Sequence, residues 1–208
     1  MEPTRDNERW LHDDLDALEA SCWAELTRAA LVPHEPLRLP TLSTQDPDLG
    51  PTSRTVVLRR CNDRARRLEL HTDLRADKVA HLRADPRHAW HFYDDGQQLQ
   101  LRALAVASLH HDDHVADAAW SRLSPGSQRS YCASDPGARR DAHDSGLPTG
   151  WWSRRLDPEE VAHGRANFCA VRAQVTRLEV LHLSTDGHRR ARFTYDGHLR
   201  VDATWLIP

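Results

Sequence analysis

The 208 residues include 28 basic and 31 acidic side chains, for a formal charge of −3, with 39% hydrophobic and 28% charged residues. That near-neutral balance removes the electrostatic footprint of a general nucleic-acid binder, and no apolar run approaches the roughly 18–20 residues of a membrane span. The length and composition predict one domain over residues 1–208 with a buried core beneath a polar surface. The stretch Met1–Asp14 is polar and acidic, without the layout of a secretory signal. Cys22, Cys61, Cys132 and Cys169 lie far apart and form no CxxC pair, which argues against a zinc ribbon or a disulfide framework and for a reducing cytoplasm. All but one of the basic residues are arginine, and the exception is Lys78.

In chain order, Leu11, Leu15, Leu18, Cys22 and Leu26 recur at spacings of three and four and predict a helix over 8–29 within an N-terminal arm of residues 1–35. Residues 37–44 alternate like an edge strand around Pro40, and 45–52 read as a turn. Strands are predicted at Ser53–Arg60 and Arg67–Thr72, joined by a hairpin at Asn62-Asp63, then at Ala89–Tyr93 and Gln98–Ser108, with a short helix near 75–84. Residues 112–165 form a predicted insertion: two helical pieces over 112–133 broken at Ser124-Pro125-Gly126, a mobile loop over 133–150, and a helix Pro158–His163 capped by Asp157. Strands follow at 168–176, 178–184, 189–195 and 199–207, the later ones joined at Asp186-Gly187 and Asp196-Gly197. Strands, then helices, then strands, without βαβα alternation, predict a mainly β, α+β fold: an antiparallel barrel with peripheral helices.

The stretch 53–78 has the most chemical content. Thr72 and Asp73 read as helix N-caps, which would leave the amides of 74–76 free to meet an anion. Arg75 and Lys78, three apart, would share a face of that helix. Pairing of the Arg54 strand with the 67–72 strand would bring Arg54 to the same point. Free amides, a hydroxyl and two or three cations would then surround one phosphate. Spacing alone leaves a second reading open, in which Arg75 and Lys78 are solvated surface charges. The His110-His111-Asp112-Asp113-His114 run offers only an i, i+3 histidine pair, so a polar strand-to-helix junction, not a metal site, is expected there.

Over about 50 residues this order and spacing resembles the flavin-phosphate segment of the pyridoxamine 5′-phosphate oxidase-like, FMN-binding split-barrel family. The residues that carry the resemblance are Arg54 to Arg59, His71-Thr72-Asp73, Lys78 and Gln98 to Arg102. Asn167-Phe168, Glu179, His188 to Phe193 and Trp205 to Pro208 resemble the family's ending, and the Trp10 helix and Thr41 to Thr44 its beginning. The resemblance implies a split β-barrel that binds FMN in a homodimer interface. Arg54 and Lys78 would hold the phosphate beside Thr72, with His71 and Arg75 nearby. Residues Arg54, Thr55, Val56, Val57, Leu58 and Arg59 would run along the ring, Gln98 would bond its polar edge, and Arg192 would reach it from the partner chain. Arg59, Arg122, Ser127 and Arg189 are the implied contacts of a small substrate; Trp151-Trp152, read from residue type, would pack in an interface or close over a planar substrate.

The departures from the pattern bear on the reaction. Ala76 stands where the family often has serine, and Asp77 where true oxidases tend to have arginine. Arg59 replaces the usual lysine, Leu181 stands at a flavin-contacting tryptophan position, and His188 to Arg192 lacks the oxidase Arg-x-His signature. The implied function is an oxidoreductase passing a hydride from a small substrate to FMN. The alternatives are a non-catalytic flavin carrier or sensor, or the same barrel around a deazaflavin or haem.

Overall fold

The structure is a computed structural model, and it describes residues 10–208. Helix α1 spans Leu15–Leu31, so the predicted helix begins later than residue 8, and residues 8 and 9 lie outside the described residues. Asp14 caps it by accepting from the Asp16 amide. Leu18, Cys22 and Leu26 are buried along one face together with Trp23, whereas Leu11 falls outside the helix. Trp23 Nε1 donates to Tyr195 Oη at 3.0 Å, and Tyr195 Oη donates to Glu19 at 2.8 Å, which fixes α1 against the far end of the sheet.

The described residues form nine strands, β1 (Thr41–Asp46), β2 (Gly50–Thr55), β3 (Arg60–Asn62), β4 (Arg67–Asp73), β5 (Arg87–Asp94), β6 (Leu99–His110), β7 (Phe168–His182), β8 (Arg189–Asp196) and β9 (Leu199–Leu206). All pairings are antiparallel, in the order β2-β1-β5-β6-β7-β4-β3, with β8 on β7 and β9 on β8. Strand β7 is the fork. One edge pairs with β6 along nearly its whole length, whereas the other edge pairs first with β4, through Gln174, and then with β8, from Arg177. The register against β6 shifts between Leu104 and Ala105, which leaves Thr176 as the extra residue, and its hydroxyl donates to Leu104 O. The sequence predicts two strands here, 168–176 and 178–184. A bulge bends one strand at that point instead, where it changes partner.

The predicted strand Ser53–Arg60 is also divided differently. The turn after β1 is only Pro47–Leu49, so β2 starts at Gly50, whose φ of +85° suits glycine. Residues 56–59 then leave β2 and cross between the two ends of the sheet. Val56 N–H donates to Pro40 O, Leu58 N–H to Arg38 O, and Arg59 N–H to Glu69 O. This crossing links the β1 side to the β4 side and closes the barrel. Leu58 points into the core and is fully buried with Leu42, Leu68, Leu70, Trp90 and Phe92. Residues 36–38 form a 3-10 turn in place of the first part of the predicted 37–44 strand.

Helix α2 (Asp77–Ala84) follows β4 and packs beside β1. The insertion holds α3 (His114–Trp120), α4 (Pro125–Gln128) and α5 (Pro158–Val161). Their N-termini are capped by Asp113, Ser124 and an Asp157–Glu160 capping box. The insertion docks on the start of β7 through Ala116, Ala119, Tyr131, Phe168 and Ala170. Residues 133–150 form neither helix nor strand. Among the described residues no helix is long and apolar enough to cross a membrane.

Candidate functional site

Three local features bring Arg54, Thr72 and Lys78 together. The β1–β2 register sets Leu42 opposite Arg54 and Thr44 opposite Thr52. Barrel closure then brings the end of β2 toward β4, and α2 carries Lys78 back over the end of β4. Lys78 Nζ donates to Thr72 Oγ1 at 3.0 Å. Arg54 Nη1 donates to Thr44 Oγ1 at 2.6 Å and Nη2 to Thr52 Oγ1 at 2.8 Å. The expected pairing of the Arg54 strand with the 67–72 strand is corrected: β2 pairs only with β1, and closure of the barrel makes the approach.

Lys78 and Arg54 are half-buried neighbours, and neither has a salt-bridge partner among the described residues. Burial, and then the Arg54 charge, hold the Lys78 amine below its ordinary pKa, opposed by Asp73 and Asp77. Burial likewise lowers the Arg54 guanidinium, against the pull of Asp77, though arginine remains charged. Two adjacent half-buried cations without an ion-pair partner among the described residues form a site that a phosphate dianion suits. Asp77 is exposed and forms no ion pair among the described residues, so its charge acts on both cations without quenching either.

The helix N-terminus is not the expected anion cradle. Helix α2 is capped by Ala76, with no side-chain hydrogen bond, and begins at Asp77. The amides of 74–76 are all taken: Leu74 donates to Asn167 O, Arg75 to Asp73 Oδ1 and Ala76 to Asp73 O. Arg75 therefore precedes the helix and does not share a face with Lys78. Its guanidinium is bound by Asp73 at 2.7 Å and Asp135 at 2.7 Å, and it also donates to Ala133 O, which ties the insertion to β4.

His71 and Thr72 are adjacent on a strand, so they face opposite sides of the sheet. Thr72 faces Lys78. His71 lies on the other face, 3.3 Å from Glu69 and edge-on to Phe168, and its Nδ1 is buried without a partner. Glu69 also binds Arg172 at 3.1 Å. His71 is therefore separated from the Arg54–Lys78 pair. Along the crossing, Thr55 is exposed, Val56, Val57 and Arg59 are half-buried, and the Leu58 side chain belongs to the core. Gln98 lies in the β5–β6 turn at φ +50°, with its amide folded back onto Asp95, so its side chain closes the turn in this conformation. Arg192 is half-buried on β8 opposite Glu179, and its Nε is buried without a partner.

The expected substrate contacts do not converge. Arg189 is tied to His12 O and to Asp13 at 2.7 Å. Arg122 is exposed, and the Ser127 hydroxyl meets Ser124 at the start of α4. Trp152 is exposed with the Arg129 guanidinium 4.1 Å from its ring, and Arg129 also donates to Trp151 O, so both tryptophans pack within the insertion. The histidine run is divided as the junction reading expects: His110 binds Asp113, whereas His111 bonds Phe168 O.

Sequence reading missed Thr44, Thr52, Asp46 and His81. His81 Nδ1 lies 3.1 Å from Thr44 Oγ1, and its Nε2 lies 3.0 Å from Asp46 Oδ2. The available signal was the i, i+3 spacing of Lys78 and His81, which shares a helical face.

Comparisons with known proteins bear on the fold that carries this geometry. Residues 18–110 match the model of the family described as pyridoxamine 5′-phosphate oxidase, FMN-binding domain. The chain is 24% identical over 143 residues to pyridoxine/pyridoxamine 5′-phosphate oxidase 2 of Arabidopsis thaliana, covering 65% of this chain and 69% of that protein. Among solved structures it is similar to a pyridoxamine 5′-phosphate oxidase-related, FMN-binding protein from Nostoc punctiforme PCC 73102. That match has a TM-score of 0.68 and 19% identity, over 91% of this chain and 96% of that one. It is also similar to PhzG from Burkholderia lata 383, solved with tetrahydrophenazine-1-carboxylic acid, with a TM-score of 0.67 and 18% identity over 100% and 98% of the two chains. At these identities the structural matches speak for the fold, which is the antiparallel split barrel. The FMN-binding-domain match over residues 18–110 and the fold shared with these structures make the chain similar to the pyridoxamine 5′-phosphate oxidase-like, FMN-binding split-barrel proteins.

Proposed function

We propose that this protein binds FMN at a homodimer interface and acts as an FMN-dependent oxidoreductase on a small substrate in the cytoplasm. The observation that carries the cofactor reading is the Arg54–Lys78 pair: two half-buried cations, steadied by Thr44, Thr52 and Thr72, with no carboxylate among the described residues paired to either. Bound there, FMN would supply hydride and electron transfer at its ring. The chain's own part is to anchor the phosphate and so fix where the ring lies. Arg192, with its buried unpaired Nε, is the residue assigned to reach the flavin of the partner subunit.

A second reading, a flavin carrier without turnover, draws on a specific observation. Arg189, one of the expected substrate contacts, is already bound to Asp13 and His12 O. One experiment addresses both readings. The purified protein is titrated with FMN and with riboflavin, and the flavin-loaded protein is then mixed anaerobically with pyridoxamine 5′-phosphate. FMN uptake with bleaching of the flavin supports the oxidase. FMN uptake without bleaching supports the carrier, and failure to take up FMN overturns both.

A further inference from the structure

We propose that Asp46, His81 and Thr44 form a hydrogen-bonded chain whose task is to position the Arg54 guanidinium for the ligand's phosphate. The proposal rests on the reading of Arg54 and Lys78 as the phosphate site and adds to it a set of positioning residues on β1 and α2.

The direction of each bond follows from the chemistry of its members. Arginine has only donors, so Thr44 Oγ1 accepts from Arg54 Nη1 at 2.6 Å. The Thr44 hydroxyl proton then has two neighbours. Thr52 Oγ1, 3.4 Å away, already accepts from Arg54 Nη2, whereas His81 Nδ1 is nearer, at 3.1 Å. With Nδ1 accepting, the ring proton sits on Nε2 and is donated to Asp46 Oδ2 at 3.0 Å. Asp46 is itself fixed: its Oδ1 accepts the amides of Asp48 and Leu49 in the β1–β2 turn. The Asp46 carboxyl is accordingly held below its ordinary pKa, chiefly by those two amides.

Every link is set by the fold. Thr44 and Asp46 are two apart on β1 and share a face, and the hairpin register places Thr52 opposite Thr44. Lys78 and His81 share a face of α2. One turn of helix thus supplies one cation directly and orients the other. Thr44 and His81 are both buried, so the chain is shielded from competing water.

The arrangement has a physical purpose. Arg54 and Lys78 repel each other, and the exposed carboxylate of Asp77 attracts both. A guanidinium on a flexible stem would relieve the repulsion by turning to Asp77, and the phosphate site would be lost. Anchoring Arg54 on Thr44, with Thr44 braced through His81 against a rigid turn, opposes that motion.

The test measures FMN and riboflavin dissociation constants by flavin fluorescence quenching, since only FMN carries the phosphate. His81→Leu is expected to weaken FMN binding about tenfold, the scale of one hydrogen bond to a charged group, and to leave riboflavin binding unchanged. His81→Gln is expected to stay near wild type, because its amide can accept from Thr44 and donate to Asp46. Adding Asp77→Asn to His81→Leu is expected to recover part of the loss. If His81→Leu lowers FMN and riboflavin affinity equally, or matches His81→Gln, the positioning role is overturned. Thr44→Val against Thr44→Ser tests a different link with the same expectations, should His81→Leu fail to fold. Arg54→Ala separates the two levels. If it weakens FMN binding while neither His81→Leu nor Thr44→Val does, only the positioning chain fails. If it leaves FMN affinity unchanged, the phosphate reading fails with it.

Discussion

Lys78 Nζ donates to Thr72 Oγ1 at 3.0 Å, across the join between β4 and α2. A hydroxyl satisfies the ammonium only in part: lysine has three donors, and no carboxylate among the described residues is paired to this one. The bond holds the amine beside Thr72 and leaves its charge for a ligand. Lys78→Ala is therefore expected to weaken FMN binding by roughly 1.5–3 kcal/mol, the range for a charge-assisted hydrogen bond, with riboflavin binding unaffected. An FMN dissociation constant equal to wild type would contradict the phosphate assignment.

The same amine makes binding pH-dependent. Burial and Arg54 hold its pKa below that of an ordinary lysine. The unfolded chain thus keeps the proton to higher pH than the folded one. Between the lowered and the ordinary value the unfolded state binds more protons, so the stability of the free protein rises with pH there. A phosphate dianion favours the ammonium, so FMN affinity falls as pH rises through the lowered Lys78 pKa. In Lys78→Arg that alkaline decline should be lost. Dissociation constants measured from about pH 7 to about pH 10, below the ordinary lysine value, check this, and identical profiles for the two proteins would refute it.

Arg192 lies on β8 in register with Glu179, with its Nε buried and unpartnered. On the proposed dimer it completes the site of the partner subunit. Arg192→Ala and Lys78→Ala should each bind FMN weakly as pure dimers. Mixed dimers of the two variants should regain one site of wild-type affinity per dimer, read as high-affinity FMN stoichiometry after subunit exchange. No recovery on mixing would argue against a shared site.

Leu58 is fully buried at the crossing that closes the barrel. Its backbone donates to Arg38 O, and the next residue donates to Glu69 O. Leu58→Ala should cost about 2–5 kcal/mol of unfolding free energy, the usual range for a buried leucine, measured by urea denaturation. Because Arg54 lies just upstream of that crossing, FMN affinity should fall as well. A loss well below this range would mean that the crossing can collapse around the gap.

Elements with a strong local signal were legible in the sequence. Leu18, Cys22 and Leu26 repeat with the helical period, so α1 could be read apart from its start. Asp196-Gly197 marked the β8–β9 turn, and glycine takes up the positive φ there. Asp157 announced α5 as part of a capping box. The misplaced boundaries are those set by partners distant in sequence. Nothing within Ser53–Arg60 says that its middle must leave β2, because the acceptors that draw it away are Pro40, Arg38 and Glu69. Nothing within 168–184 says that one strand continues through Thr176, because the bulge answers to β6 and the change of partner to β4 and β8.

The same division runs through the site. By itself the sequence determined the ingredients: a single lysine three residues before a histidine, an arginine at the start of a predicted strand, and an order of motifs that resembled an FMN-binding split barrel. Residue type and short-range spacing are local properties. Only the tertiary structure decided which ingredients meet. It turned His71 away from Thr72, took Arg75 into ion pairs with Asp73 and Asp135, used up the amides of 74–76, and linked Asp46, His81 and Thr44 to Arg54. Barrel closure and strand register made those choices, because a side chain's partners depend on the face it occupies and the strand beside it.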